Sequence, residues 1–325
     1  MKVTIKSIEY YLPPTTEDGN VLKKENPDWS IEDIEKKTGV DVRYISAPEQ
    51  TATDMAALAA EKILSSGLQK KEIEFLILIT QSPDYALPTS ACILQDRLGL
   101  DKSCMAFDVN LGCSGFIYGL AIAGALIDAG LVHNGLLLCS DTYSKYIDKT
   151  DRTCRPLFSD AASAALLSSS DHNDIGPFEM GTDGSGFNNL ILPSSGTRVN
   201  DQQADDKNLF MNGSEIFMFT MDMVPKCVNA LLDKSGTRIE DIDLFVFHQA
   251  SKLVIDNIIR RLNLPEEKVY VNYNQIGNTV SASIPIALSQ ALQERRLKNN
   301  DQVMLVGFGV GYSWGSCLLR WSEQT

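Results

Sequence analysis

The residues of this chain best placed for chemistry are one cysteine, one histidine and one asparagine. Cys113 follows the run AFDV and a glycine, and opens the apolar segment GFIYGLAIAGALI. A thiol between a strand end and a helix start sees the positive end of the helix dipole and unpaired N–H groups, which lower its pKa and favour the thiolate. The carboxyl end of a strand is also where open α/β sheets hold their ligands. The competing assignment is a small core hydrophobe, and Cys92, Cys104, Cys139, Cys154, Cys227 and Cys317 take it, having no such placement. His248 ends LFVF and precedes Gln249-Ala250-Ser251, a position suited to proton handling or oxyanion stabilisation, or else to a hydrogen-bonded core histidine. His133, in the turn VHNG, and His172, in the polar run SSDHND, are expected in solvent. Asn278 is either a turn or cap residue or the third member of the set. A thiolate that takes an acyl group beside two neutral donors for a developing enolate or oxyanion is an arrangement for thioester chemistry. Gly307-Phe308-Gly309-Val310-Gly311 departs from GxGxxG and runs into a strand, not a helix. It reads as a loop whose N–H groups approach an oxyanion, or as a plain tight turn, and not as a dinucleotide fingerprint.

An internal repeat selects these residues. EIEFLIL at 72–78 recurs as DIDLFVF at 241–247, an offset of 169. Each copy is followed by a helical stretch with a similar tail, DRLGL at 96–100 and RRLNL at 260–264. Next, FDVNLGCSG parallels VNYNQIGNTVS, which sets Gly112-Cys113 over Gly277-Asn278, and LLLCSDTYS parallels MLVGFGVGYS. The pattern predicts an α/β fold built from two β-α-β-α-β units about a pseudo-twofold axis, with halves at 1–168 and 169–325. Such an axis brings Asn278 toward Cys113. Within the first half, strands are expected at 2–8, 75–80, 105–109 and 135–140. Helices are expected at 30–37 (with Ser30 and Asp33 as a capping pair), 53–64, 90–98 and 114–129. The unbroken apolar run FLILIT calls for a sheet covered on both faces. The Ser-, Gly-, Asp- and Asn-rich stretch 168–213 reads as surface connection with short strands.

Composition narrows the function. The 325 residues carry 29 Lys and Arg against 42 Asp and Glu, a net charge of −13, which argues against nucleic acid or an anionic membrane as the main partner. None of the seven cysteines forms a CxxC pair, so neither a disulfide framework nor a structural zinc site is expected, and free thiols suit a reducing compartment. The longest nearly apolar run, 116–127, is too short to span a bilayer, and the opening MKVTIKSIEYYLPP lacks a signal-peptide pattern. A cytoplasmic, soluble protein is the expectation.

Taken together, YYLPP, KKTGV, FDVNLGCSGF, DRTCRPLFSDAASA, FHQAS, GNTVSAS and GFGVGYSWGS resemble, in that order and over essentially the whole chain, the β-ketoacyl-acyl carrier protein synthase III family of the thiolase superfamily. The resemblance implies a thiolase-like fold with five αβαβα layers, a homodimer, and no metal or redox cofactor. It implies that Cys113 is acylated by an acyl-CoA or acyl-carrier donor. His248 and Asn278 would stabilise the enolate left when a malonyl-carrier protein loses CO₂. The backbone N–H groups of Cys113 and Val310 would form the oxyanion hole. Lys37 stands at the family's basic CoA-contacting place, with Asp33 where a Trp is usual and Trp29 one turn earlier. Arg152 matches a CoA-contacting Arg, Ser214 and Ser251 replace two usual asparagines, and Leu87 replaces the Phe that commonly walls the acyl pocket. These departures imply specialised substrates, in fatty-acid or secondary-metabolite synthesis. Lys252, Arg260 and Arg261 lie on the helix LVIDNIIRRL, with Lys252 and Arg260 on one face. They are either a solvated face or, as the resemblance implies, the dock for an acidic carrier protein. The alternative activity passes the acyl group from Cys113 to a hydroxyl or amine without condensation, with His248 as general base.

Overall fold

The computed structural model describes residues 1–67, 69–198 and 207–322. Thirteen strands are described: β1 (Val3–Tyr11), β2 (Thr15–Asp18), β3 (Val42–Ile45), β4 (Phe75–Ile79), β5 (Met105–Val109), β6 (Asn134–Asp141), β7 (Ala161–Ser169), β8 (Ile175–Thr182), β9 (Leu190–Ile191), β10 (Phe210–Met211), β11 (Leu244–Phe247), β12 (Gln302–Gly309) and β13 (Ser313–Arg320). The α-helices are α1 (Gly19–Glu25), α2 (Ile31–Thr38), α3 (Ala52–Leu64), α4 (Ser90–Arg97), α5 (Gly115–Asp128), α6 (Gly213–Ser235), α7 (Lys252–Leu262), α8 (Tyr273–Ile276) and α9 (Ser283–Gln293).

Two sheets share one plan. The first runs β1-β7-β6-β4-β5 and the second β8-β13-β12-β11. In each, the strand carrying the repeated apolar run pairs in parallel with the next core strand (β4 with β6, β11 with β12), and the following pairs are antiparallel. The place of β5 is taken in the second copy by a single parallel bridge, Phe245 to Val269. Every strand of the first sheet precedes residue 170, and every strand of the second follows it.

Alternation along the repeated strands makes the layers. Ile77 and Ile79 join one core with Val246 from the second sheet, while Leu76 and Leu78 face a second core and Phe245 and Phe247 a third. Helices α5 and α9 fill the shared core, through Phe116, Leu120, Ile284 and Leu288. The shared core takes one face of α5, whereas Tyr118, Ala121, Ile122, Ala125 and Leu126 are half-buried or exposed on the chain by itself, so GFIYGLAIAGALI is apolar beyond what this core covers. Helices α3 and α4 cover the outer face of the first sheet, and α6 and α7 that of the second. Five layers, α-β-α-β-α, result, as in the thiolase-like fold. Among the described residues, no helix is long and apolar enough to cross a membrane, and no group of three or more His, Cys, Asp or Glu side chains is gathered as for a metal.

The structure corrects several expectations. The stretch 168–213 contains β8, eight residues long and the edge strand of the second sheet, not only short strands. Its sequence, IGPFEMGT, hid it: Pro177 has no N–H, which an edge strand tolerates and a central one does not. Ser30 caps α2 by position but makes no side-chain bond to the helix, so the expected pair with Asp33 does not form. Cys92 is exposed, whereas the other cysteines are buried. His133 and His172 are exposed, as expected.

Candidate active site

Cys113 lies between β5 and α5, 6% exposed, where the strand chain turns back into the central layer. Strand β12 presses on that turn. A Cβ at position 307 would come within 2.8 Å of the Cys113 carbonyl oxygen and of Ser114 Cα, and one at 309 within 3.0 Å of the Cys113 sulfur. Gly307 and Gly309 therefore belong to a strand, not to a loop as the sequence suggested, and close approach is what requires them. The Ser114 and Ser313 hydroxyls, 2.7 Å apart, pin the Cys113 turn to β13.

His248 follows β11 and is 2% exposed. Its backbone N–H donates to Val306 O at 2.8 Å, which extends the parallel ladder by one residue. The ring meets Phe308 edge-on at 5.6 Å between centroids, and its Nδ1 lies 2.6 Å from Ser283 Oγ.

Asn278 is fixed by the other half of the molecule. Its N–H donates to Leu157 O at 2.9 Å, and its carbonyl accepts from Ser159 N–H at 2.8 Å. Its side-chain oxygen accepts from Val280 N–H at 2.9 Å, which leaves the amide Nδ2 as a donor. The turn reading of Gly277-Asn278-Thr279 is thus correct, and the same turn aims a donor. The bend forces Val280 to φ +54°, a left-handed conformation that costs a β-branched residue about 1–3 kcal/mol. Buried Asp141 holds the bend, accepting from the Ser281 hydroxyl at 2.5 Å while its other oxygen accepts from Gln81 N–H at 2.8 Å. Gln81 Oε1 in turn accepts from the Tyr143 hydroxyl at 2.6 Å. Asp141, Tyr143 and Ser281 were not singled out in the sequence. Only the SD in LLLCSDTYS, a charge ending an apolar strand, could have pointed to them.

Cys113, His248 and Asn278 line one cavity of about 160 Å³, together with Phe308, Gly309, Ile216, Phe217 and Val254. Burial sets its electrostatics. The Cys113 thiol is pushed up to about 12, first by burial and then by Asp141, so the helix-start effect expected to favour the thiolate is outweighed at rest. Asp141 itself is pushed up to about 7 by burial. Burial also drives His248 down to about 3. The resting pair is therefore a thiol and a neutral imidazole. Because the folded value lies below the ordinary 6.5, the neutral ring contributes stability above pH 6.5 that is lost as the pH falls toward 3. Activity should accordingly show no acid-side break near pH 6.5. A pH–rate profile with such a break, absent from a His248 variant, would mean a solvated ring.

Of the remaining sequence candidates, Ser251 is the one that lines this cavity. It caps α7, its hydroxyl accepting from Val254 N–H at 3.3 Å. Ser214 is exposed beside the lining residues Gly213 and Ile216, bonded to Asn212 Oδ1 at 3.0 Å. Arg152 is exposed on the segment leading to Leu157 and Phe158. Lys37 is exposed near the end of α2, which packs on the first residue of α7 through Gly39. Leu87 is 82% exposed and does not line the cavity of this chain. Val310 is half-buried in the β12–β13 turn and packs against the cluster containing Cys113. Lys252 is paired with Asp256 at 2.8 Å, whereas Arg260 and Arg261, exposed at the end of α7, have no ion-pair partner among the described residues. Residues 199–206 of the connection 168–213 lie outside the described residues.

The same fold recurs in known proteins. Residues 107–184 match the family model for 3-oxoacyl-[acyl-carrier-protein (ACP)] synthase III, and residues 232–321 match that for its C-terminal part. The β-ketoacyl-[acyl-carrier-protein] synthase III of Clostridium perfringens is 38% identical over 296 residues, covering 90% of this chain and 91% of that one. A crystal structure of a 3-oxoacyl-(acyl-carrier-protein) synthase III superposes with a TM-score of 0.95 at 40% identity, over 99% of this chain and 100% of that one. The priming β-ketosynthase of the R1128 polyketide pathway does so with a TM-score of 0.91 at 28% identity, over 99% and 97%. The chain belongs to the 3-oxoacyl-acyl carrier protein synthase III family and is a condensing enzyme of the acyl-transferring class.

Proposed function

We propose that this enzyme moves an acyl group from a thioester donor onto Cys113 and joins it to the two-carbon unit left by a malonyl-carrier protein. The observation that carries this reading is the convergence of Cys113, His248 and Asn278 on one cavity, from the β5–α5 turn, the end of β11 and the α8–α9 turn. The Cys113 sulfur attacks the donor carbonyl as its proton passes to the departing thiolate, so one thioester replaces another. The malonyl thioester then loses CO₂, and the electron pair of the broken C–C bond forms an enolate. The neutral donors of His248 and Asn278 hold the enolate oxygen. Its carbon attacks the acyl-Cys113 carbonyl, whose oxygen sits on the N–H groups of Cys113 and Val310. Collapse expels the Cys113 thiolate and gives a 3-ketoacyl-carrier. Starting neutral suits the second step, since an imidazolium would lose its proton to the enolate it should only stabilise.

In this reading the donor is an acyl-CoA or an acyl-carrier, with Lys37, Arg152, Ser214 and Ser251 along its path. No metal or redox cofactor takes part, and the enzyme works as a cytoplasmic homodimer, with neither nucleic acid nor membrane as partner. Leu87, exposed on one chain, is available to a second copy. The test is the mass of the intact protein after exposure to acyl-CoAs: one added acyl group, absent from Cys113→Ala.

Carrier docking is assigned to the end of α7. Arg260 and Arg261 are its unpaired cations and Lys252 the lesser one, its charge being met by Asp256. Reversing both arginines to glutamate should raise KM for a carrier-bound substrate about tenfold at low salt and leave a CoA or other small thioester unaffected. Equal loss with both substrates would count against docking there.

A further inference from the structure

Ser283 opens α9 and is buried, and among the described residues the ring of His248 is the hydrogen-bond partner of its hydroxyl, at 2.6 Å. We propose that Ser283 is a positioning residue that sets the tautomer of His248, donating to Nδ1 and so keeping the ring proton on Nε2, toward the cavity. In the opposite tautomer Nδ1–H would donate to Ser283, and the serine proton would then need another acceptor. None is in reach among the described residues. A buried hydroxyl proton left without a partner costs about 1–3 kcal/mol, whereas an unused lone pair on Ser283 costs far less. With Nδ1 occupied, Nε2–H finds its acceptor in the substrate oxygen. The depressed basicity of the buried ring removes the doubly protonated alternative.

The consequence bears on mechanism. Asn278 has its oxygen tied to Val280 N–H and its amide nitrogen free, and His248 has Nδ1 tied and Nε2–H free. Both side chains then present donors and neither presents a lone pair. That is the equipment for holding an enolate, and the reverse of what a general base for a hydroxyl or amine acceptor needs. The segment 278–283 supplies both restraints, so the same bend that aims Asn278 also orients His248.

The tautomer can be read without turnover. The full-length protein labelled with ¹⁵N-histidine contains three histidines, and the His248 signals are those lost in His248→Asn. Long-range ¹H–¹⁵N correlations should show a protonated Nε2 and an unprotonated Nδ1. Ser283→Ala should give a mixed or reversed pattern and slow condensation about tenfold, with acylation of Cys113 changed by less than about twofold; Ser283→Thr should restore both. The kinetic arm rests on the condensing mechanism proposed above, and the spectrum does not. Absence of an acyl-Cys113 adduct would sink the mechanism and leave the tautomer readable. A protonated Nδ1 in the unsubstituted protein would overturn the proposal. So would a Ser283→Ala enzyme that keeps both the tautomer and the condensation rate. Should that variant fail to fold, the spectra of the unsubstituted protein and of Ser283→Thr still decide.

Discussion

Condensation should fall by about two to three orders of magnitude in His248→Ala and in Asn278→Ala, while an acyl group still loads onto Cys113. The split follows from where the two donors stand. Acylation exchanges one thioester for another and needs the sulfur and the oxyanion site. Decarboxylation creates an enolate, whose charge these side chains meet in a cavity with little water. Asn278→Ala has a second effect, because its side-chain oxygen also holds the bend that strains Val280. Losing that bond should cost about 1 kcal/mol of stability as well. Asn278→Asp keeps an acceptor for Val280 N–H and replaces the amide donor with a carboxyl, so the bend should be kept while condensation stays as slow as in Asn278→Ala. Stopped assays that follow CO₂ release and acyl-enzyme mass separately would read the two steps. Equal loss of both would place His248 and Asn278 in acylation and contradict the assignment.

The second large effect is expected from one methyl group. Gly309→Ala would set a Cβ 2.9 Å from the Cys113 Cβ and 3.0 Å from its sulfur, closer than such atoms approach without displacement. Neither partner yields easily: position 309 pairs with Ser313 in the antiparallel ladder, and the Cys113 turn is pinned through Ser114. A nucleophile misplaced by about an ångström loses on the order of a hundredfold in rate. The prediction is that Gly309→Ala slows acylation by that factor or more. A melting curve is the control, since overpacking in a core costs about 1–3 kcal/mol. Full acylation with unchanged melting would mean that the cysteine turn is softer than its contacts suggest.

Much of this was legible in the sequence, for identifiable reasons. The repeat EIEFLIL and DIDLFVF fixed strands β4 and β11 because a strand covered on both faces leaves no polar positions to confuse its period. The same alignment put Cys113 over Asn278, and the structure brings both to one cavity. Strand β7 escaped because AASAALLSS is small on both faces and shows no alternation. Strand β8 escaped because its glycines and Pro177 suit an edge and read as a turn. Helix α6 was unassigned, with Pro225 inside it. The electrostatic misjudgement at Cys113 has one cause. A helix start can be read from residue order, whereas the burial that outweighs it depends on β12 and the second half of the chain, far away in sequence. Ser283 was invisible for the same reason, and Asp141 showed only as a charge ending an apolar strand. Each bonds across residues that are distant in sequence, Asp141 to Ser281 and Ser283 to His248.

Whether Cys113 carries the acyl group is read most directly by intact-protein mass spectrometry after incubation with a panel of acyl-CoAs and acyl-carriers. The predicted result is an increase of one acyl mass in the unsubstituted protein, discharged by malonyl-carrier protein and missing from Cys113→Ala with any donor. An adduct that persists in Cys113→Ala would contradict it.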